Sequence, residues 1–478
     1  MVPHAPRGRS GARSASFVPL LLVGLVLSAC RAPAVRQIPL ETQGLPGRLD
    51  RARALPSADP TSVDALRFSA AVRRLHDHNP RVVEARAGAM PAQALARTPT
   101  PLPNPTLALG PILLSGVDGV RSVAWGVESA LGWTLLLGGK RQLLNGLNAQ
   151  SARAANVRAV TVEREEYLAL RQRWVDAVFS HRAESVRARL LEGTREARDG
   201  VAEIAKARSS TAVDLVLLDL DVRRLDADQV DAEAETTAAR ARLALTIGAR
   251  TADVAAPSMS SLPPLPVEVH APERLRAIAI AGHPELDRLR AEYAVAEQRL
   301  RLEASRAIPN LGLGASYERD DGRDGPSRFG LPLGIELPIF DRNQPAIAEA
   351  CAERDALRRR FEAACTRILG EIEAARELLL RRRDRAHRYD ADLEPAARDA
   401  LETGRQALAA GETDALRFID LLRSTRDVES DQVQATREVY LAWTALEHAV
   451  GAPLLRFPDE PAPARTAIPK EAARCSAR

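Results

Sequence analysis

Two hydrophobic patterns alternate along the chain. Long stretches with helical periodicity and strong helix formers cover residues 140–205 and 211–248, and again 346–409 and 413–450. At about 1.5 Å per residue the first helix would approach roughly 100 Å, and such lengths without caps are typical of coiled coils. Pro395 lies inside the third stretch, so a kink or break is expected there.

Four shorter stretches alternate strictly between apolar and small or polar residues, which predicts β-strands with one apolar face. They cover residues 106–114, 121–137, 311–318 and 328–337. Small and polar residues on the second face suit strands with lipid outside and water inside. Glu128 and Glu336 fall on this face and are candidate lumen-facing residues. A half-buried sheet in a soluble protein is the alternative reading of the same pattern.

The chain repeats its landmarks after 202 to 204 residues, which predicts an internal duplication. The matching pairs are Asn79-Pro80 with His283-Pro284, Asn104-Pro105 with Ile308-Pro309, Leu131-Gly132 with Leu333-Gly334, Thr211 with Thr413, and Ile247-Gly248-Ala249 with Val450-Gly451-Ala452. This period is too long for a solenoid unit. We therefore expect a first repeat over residues 61–256, a linker over 257–272 and a second repeat over 273–455.

The N-terminal segment has the features of an export signal. Residues 1–29 combine arginines with a short apolar run, which is too short to span a membrane as a helix. The run ends in Leu27-Ser28-Ala29-Cys30, which resembles the lipobox of bacterial lipoproteins and marks Cys30 as a candidate lipidation site. Residues 30–60 then predict a flexible tether from the lipid anchor, and residues 456–478 a disordered tail.

Composition narrows the function classes. The whole chain has a formal charge of +4, and the signal segment contains three arginines and no acidic residue. Without this segment the chain is nearly neutral, so its charge gives no support for nucleic-acid binding. Cys351 and Cys365 are 14 residues apart on a predicted helix, too far for a disulfide within it. His and Met residues are too few or too scattered to predict a metal site. No phosphate-binding loop or catalytic grouping is evident, so neither an enzyme nor a cofactor is expected.

The predicted strands are too few to close a barrel alone. Small barrels need eight strands, and an open sheet in lipid would leave backbone groups without hydrogen bonds. The chain is therefore expected to pool its strands with copies of itself.

Short sequences at the junctions of strands and helices resemble the TolC family of outer-membrane efflux proteins over residues 63–455. They are Asn104-Pro105-Thr106-Leu107, Leu137-Gly138-Gly139-Lys140-Arg141, Leu337-Pro338-Ile339-Phe340-Asp341-Arg342-Asn343-Gln344, Glu394-Pro395-Ala396 and the run from Gly411 to Leu422. The third of these looks most like the heavy-metal branch, the CzcC- and CusC-like proteins. Met90-Pro91 and a proline cluster at 99–105 depart from the pattern, so helical geometry is doubtful there.

The resemblance implies a mainly α-helical protein with a membrane β part. Four strands from each chain of a homotrimer would form a twelve-stranded barrel in the outer membrane, continued by a long periplasmic coiled-coil tunnel. The tunnel would dock onto a periplasmic adaptor and an inner-membrane pump of the RND type. The expected function is passive conduction of substrates, heavy-metal cations in the first instance, to the exterior.

The same resemblance places the tips of the helical hairpins at residues 206–216 and 410–420. Candidate residues for adaptor docking or for a periplasmic gate are Thr211, Asp214, Gly411, Asp414 and Asp420. In a trimer, an inward-facing aspartate would form a ring of three carboxylates that attracts cations and repels its own copies. An aspartate that simply stabilises a helix N-terminus is the plainer interpretation.

Three alternatives stay open. A channel of the same family could carry drugs or other organic compounds. A periplasmic coiled-coil adaptor lipoprotein would also be helical and acylated, but it should lack the paired alternating strands. An exported enzyme on a helical scaffold would need a cluster of acid, base or nucleophile.

Overall fold

A computed structural model describes residues 45–53, 66–115, 123–207, 212–320, 327–410, 412–413 and 415–460. The chain divides into two units, residues 1–52 and 53–478. Helix α1, Leu45–Arg53, lies mostly in the first unit, where the sequence predicted a flexible tether, and its nine residues are helical.

The second unit is dominated by long helices. They are α2 Phe68–His78, α3 Pro80–Arg97, α4 Lys140–Ala207, α5 Ala212–Thr246, α6 Pro272–Gly282, α7 Pro284–Arg306, α8 Gln344–Arg388, α9 Glu394–Ala410 and α10 Ala415–Val450. Helix α4 has 68 residues and therefore extends about 100 Å. Helices α4 and α5 form one hairpin, α9 and α10 form another, and α4 packs along α10.

Two helix junctions have the same construction in the two halves. Asn79 caps α3 by accepting a hydrogen bond from the Val82 amide, and His283 caps α7 by accepting one from Glu285. In both cases proline is the first helical residue, where its missing N–H costs nothing. These junctions meet the ends of α5 and α10, which terminate at glycines with positive φ.

The hydrophobic core has two main parts. In the first, Phe68 stacks on Phe457 with ring centroids 3.8 Å apart and meets Trp174 edge-on at 5.2 Å. In the second, Trp443 of α10 is surrounded by apolar residues of α6, α7 and α8. The segment predicted as a linker contributes to the first part, because Leu262 is buried there and Tyr440 donates a hydrogen bond to the Pro263 carbonyl.

A buried ion pair connects the two cores. The Arg171 guanidinium donates two hydrogen bonds of 2.8 Å to Glu447, and both side chains are 1% exposed. Arg171 also donates to the carbonyl of Leu455. Burial opposes its charge, but the Glu447 carboxylate raises the pKa of Arg171 above its ordinary value. The neighbouring Tyr167 donates a hydrogen bond from its hydroxyl to Glu460, and burial raises the pKa of this hydroxyl.

The strands form one antiparallel sheet in the order β1-β2-β3-β4, with β5 also paired to β3. The strands are β1 Thr106–Ser115, β2 Val123–Leu135, β3 Leu311–Asp320, β4 Ser327–Gly330 and β5 Leu333–Ile335. The pairing of β2 with β3 joins the first half of the chain to the second, with Leu131 of β2 opposite Ala315 of β3.

The single strand expected over residues 328–337 is interrupted. It forms β4 and β5, separated by Leu331 and Pro332. Pro332 has no N–H to donate to a ladder, but its carbonyl accepts a 2.8 Å hydrogen bond from Gly314. The proline therefore breaks the strand without moving the chain away from β3.

The doubt about helical geometry before β1 was wrong for residues 80–97. Helix α3 runs through Pro91 without a break. Pro91 lies on the exposed side of this helix, so its ring does not disturb the buried face. Near Pro395, where a kink or break was expected, the regular α-helix is interrupted by a π-helical turn, Tyr389–Leu393, while the backbone on both sides stays helical.

Candidate functional site

The sheet exposes large apolar side chains on one face. Leu131 is 50% exposed, Trp133 is 44% exposed and Phe329 is 83% exposed. Phe329 also packs against Tyr317 of the neighbouring strand at 4.8 Å between ring centroids. Trp125, predicted on the same face, has a side chain outside the described residues. A continuous row of exposed apolar side chains on paired strands is typical of a surface that another apolar phase covers.

The other face carries glycines and a charged row. Glu128 of β2 lies directly opposite Glu318 of β3, and Glu318 lies opposite Arg328 of β4. Arg328 is 3.7 Å from Glu318 and partly offsets the two like charges. Sequence analysis selected Glu128 but missed Glu318 and Arg328. The alternation placed Glu318 on the same face, but only the register shows that these side chains form one row.

Glu336 is exposed just beyond β5 rather than inside a strand. Its charge acts on Lys140 at the start of α4, where burial lowers the pKa of the ammonium group and Arg306 adds to the effect while Glu336 opposes it. Lys140 donates to the Ile308 carbonyl at 2.5 Å and to Asn310 at 2.7 Å. Glu336 therefore belongs to the junction of sheet and helices.

The junction sequences require unusual backbone conformations. Gly138 and Gly139 both have φ of 69°, and this conformation redirects the chain at the end of β2 so that α4 can begin. Asn343 has φ of 61° before α8, and its amide group donates 2.9 Å hydrogen bonds to the carbonyl and carboxylate of Glu303. Asn343 is one of the residues that tolerate this region. These junction sequences therefore set the direction in which the long helices leave the sheet.

Several candidate residues lie outside the described residues. They are Cys30, Thr211, Gly411 and Asp414. Asp214 lies in the first turn of α5, but its side chain is also outside the described part. Asp420 is exposed in the first turns of α10, with its carboxylate 3.5 Å from Arg423.

The structure brings the two hairpins together near their tips. Arg423 of α10 also pairs with Asp221 of α5 at 2.8 Å. A small buried cluster of Val201, Leu218 and Ile419 joins α4, α5 and α10 beside this pair. Sequence analysis missed these contacts, because residues of the two repeats meet only through the tertiary fold. The 202-residue separation of Asp221 and Arg423 was the available signal.

Among the described residues, no group of three or more His, Cys, Asp or Glu side chains is arranged to hold an ion. Cys351 and Cys365 have free thiols. None of the helices within the described ranges combines the length and hydropathy that crossing a bilayer requires.

Solved structures with the same fold include several bacterial membrane channels. A membrane protein from Pseudomonas aeruginosa superposes with a TM-score of 0.65 and 18% identity over 84% of this chain and 97% of its own. CusC gives 0.64 and 14% identity over 88% and 99%. The MtrE outer membrane channel of Neisseria gonorrhoeae gives 0.61 and 14% identity over 89% and 98%. The fold is therefore that of the outer-membrane channels.

Residues 275–452 match the family described as outer membrane efflux protein. This match lies in the predicted second repeat, and it confirms the family resemblance seen in the sequence. Members of this family are transport channels rather than enzymes, in agreement with the expectation from composition. No curated protein matches the sequence significantly.

Proposed function

We propose that this protein is the outer-membrane channel of a tripartite efflux system. The observation that carries the proposal is the sheet, which has an exposed apolar face and a small and charged face. Its edges, at β1 and at β4 with β5, pair with no further strand among the described residues. Open edges in lipid are costly, so pairing with further copies is required. Three copies of an internally duplicated chain would close a twelve-stranded barrel.

The long helices would continue the conduit into the periplasm. Hairpins α4–α5 and α9–α10 end at neighbouring tips, where an adaptor would dock and a gate would close. Thr211, Asp214, Gly411, Asp414 and Asp420 remain the candidate residues for these roles. Energy would come from an inner-membrane pump, with the RND type as the expected partner. An acylated Cys30 would add a second attachment to the membrane.

Heavy-metal cations are the proposed cargo. Support comes from the junction sequence before Asn343 and from the acidic pair Glu128 and Glu318 on the small-residue face. Carboxylates at a pore wall attract cations without holding them, which suits conduction. Organic compounds remain the second candidate, because wide pores discriminate weakly between solutes.

The test is a deletion strain exposed to divalent metals, monovalent metals and organic toxicants, with wild-type complementation. Selective metal sensitivity that the wild-type gene reverses is the expected result. Sensitivity to hydrophobic compounds alone would retain the channel and reject the metal cargo. The purified protein should also migrate as a heat-modifiable trimer and conduct ions in planar bilayers; an adaptor lipoprotein would do neither.

A further inference from the structure

Helix α5 carries an apolar stripe that nothing in the described part of the chain covers. Its members follow the 3-4 spacing of a coiled-coil seam: Val213, Val216, Leu220, Arg223, Ala227 and Val230. All are exposed, and the four large apolar members are between 61% and 67% exposed. A heptad seam exposed to water over three turns or more calls for a partner helix.

Helix α9 and the end of the π turn carry a second stripe with the same spacing. Its members are Leu393, Ala396, Ala400, Thr403, Ala407 and Ala410. Most of these residues are small, and several border a groove of about 330 Å³ between α9 and α10, with Phe418 and Leu421 on its other side. Large residues on one helix and small residues on the other can interlock.

Contacts inside the chain fix the stagger of these helices. Asp221 of α5 pairs with Arg423 of α10, and Glu235 pairs with Arg437, so α5 and α10 run parallel with an offset of 202 residues. Gly404 of α9 lies against Leu421 of α10. Through the offset of 202, Leu421 is level with position 219 of α5, so Gly404 is level with position 219 as well. Because α9 runs antiparallel to α5, two positions at the same height on these helices have residue numbers that add up to 623.

The two stripes are mirror images about this same level. Pairing them antiparallel gives Val213 with Ala410, Val216 with Ala407, Leu220 with Thr403, Arg223 with Ala400, Ala227 with Ala396, and Val230 with Leu393. Every pair adds up to 623. The spacing of the two stripes, in which all members but the half-buried Ala407 are exposed, and the contacts through α10 thus give the same register.

Charges beside the stripes agree with this register. Opposite charges lie within one residue of the same level at Asp219 and Arg405, at Arg223 and Asp399, and at Asp226 and Arg398. Asp221, which is level with Glu402, is already neutralised by Arg423 in its own chain. Asp219 and Asp226 also have partners in their own chain, Arg198 and Arg195. Asp231 and Asp392, one residue beyond the stripes, are level and both acidic. Within the described residues, neither Arg223 nor Asp399 has an ion-pair partner, so both are available to another copy.

We propose that α5 of one copy packs antiparallel against α9 of the next copy in this register, with Val216 opposite Ala407. Each copy offers two different surfaces, so the contact is heterologous, and the three-fold rotation of the proposed trimer would close it into a ring. The inference rests on the proposed trimer and deepens it, because it names the residues that join the helical walls of neighbouring copies.

Cysteine cross-linking tests the register. The full chain, with Cys351, Cys365 and Cys475 replaced by serine, carries Val216→Cys together with Ala407→Cys and is oxidised in isolated membranes. We expect disulfide-linked dimers and trimers on denaturing gels, and a reductant should convert them back to monomer. The matched control carries Val216→Cys with Ala400→Cys, which moves one thiol by about 10 Å along the same face and should leave mainly monomer.

Charge reversal provides a second measurement. Arg223→Glu and Asp399→Arg should each reduce the yield of trimer, and the double variant should restore it. Trimers and conductance in the serine-substituted parent, combined with cross-linking only in the off-register pair, would overturn the inference and leave the proposed function intact. A parent chain that forms neither trimer nor pore would instead reject the proposed function and the inference with it.

Discussion

At the scale of single residues, two glycines determine how the helices turn back on the core. Gly248 and Gly451 have φ of 61° and 73°, and each packs against the junction that precedes a capped helix. A methyl group at Gly248 would collide with the backbone carbonyl of His78. The backbones of His78 and Gly248 cannot easily move apart, because Asn79 donates hydrogen bonds to Glu166 and to the Thr246 carbonyl at this junction.

Gly248→Ala is therefore expected to lower the free energy of unfolding by at least about 1–2 kcal/mol, from the left-handed conformation alone. The control is Gly200→Ala on α4, where a methyl group would have no atom within 4 Å and helix propensity should add about 0.5–1 kcal/mol. Thermal unfolding followed by circular dichroism measures both. Equal melting temperatures for the two variants would contradict the role assigned to Gly248.

His283 is expected to make stability depend on pH. Burial lowers the pKa of its imidazole, although Glu285 acts in the opposite direction. The unfolded chain then binds the proton more readily, so stability is complete above the ordinary histidine pKa of about 6.5 and is lost as pH falls through that value.

The variant His283→Asn tests this effect, because asparagine already performs the same capping role at Asn79. We expect a weaker decline in melting temperature between about pH 7.5 and pH 5.5 than in the wild type, with little change at the upper pH. An unchanged pH slope would exclude His283 as its source.

At the scale of elements, one buried ion pair holds α4 of the first half to α10 of the second. Arg171→Met should destabilise the protein by about 3–5 kcal/mol, because the buried Glu447 carboxylate would lose the guanidinium paired with it and keep only the amides of Leu454 and Leu455 as described donors. Arg189→Met is the control, since Arg189 and its partner Glu429 are 50% and 41% exposed and such pairs contribute below about 1 kcal/mol. Chemical denaturation of both variants gives the comparison, and similar midpoints would count against the buried pair.

Much of the element structure was predictable from periodicity, because long helices and alternating strands depend on local pattern. The interruption at Pro332 was not predicted, since the Gly314 hydrogen bond that keeps the chain in place comes from another strand. The continuity of α3 through Pro91 was missed for a related reason. Val82 and Ala89 of this helix are buried against the rest of the protein, and such tertiary packing is not contained in the local sequence.

The candidate site was predictable only in part. Glu128 followed from alternation, but the row with Glu318 and Arg328 depends on strand register, which no local pattern contains. The pairing of Arg423 with Asp221 likewise requires two segments 202 residues apart to meet. Sequence patterns therefore identified the elements and their faces, and the contacts between repeats needed the structure.

At the scale of the whole molecule, the membrane attachment can be separated from the conduit. Cys30→Ala should abolish incorporation of labelled palmitate, while trimer formation and single-channel conductance stay unchanged, because the sheet alone offers the apolar surface. Radiolabelling and bilayer recording measure the two properties independently. Loss of both together would mean that acylation is needed for insertion.

The π turn has a consequence for how this chain tolerates insertions and deletions. The last buried positions of α8, Ile372, Leu379 and Ala386, are seven residues apart, and a continuous helix would next place positions 393, 400 and 407 inward. The extra residue of the π turn shifts this inward-facing row to the half-buried Glu394, Leu401 and Leu408 instead. Converting the π turn to regular α-helix without removing a residue would rotate α9 by about 100° and turn its outward stripe toward its own core. Deleting one residue between 389 and 393 would instead straighten the helix and keep Glu394, Leu401 and Leu408 on the inward row. This segment should therefore tolerate loss of one residue better than a substitution that only straightens the turn.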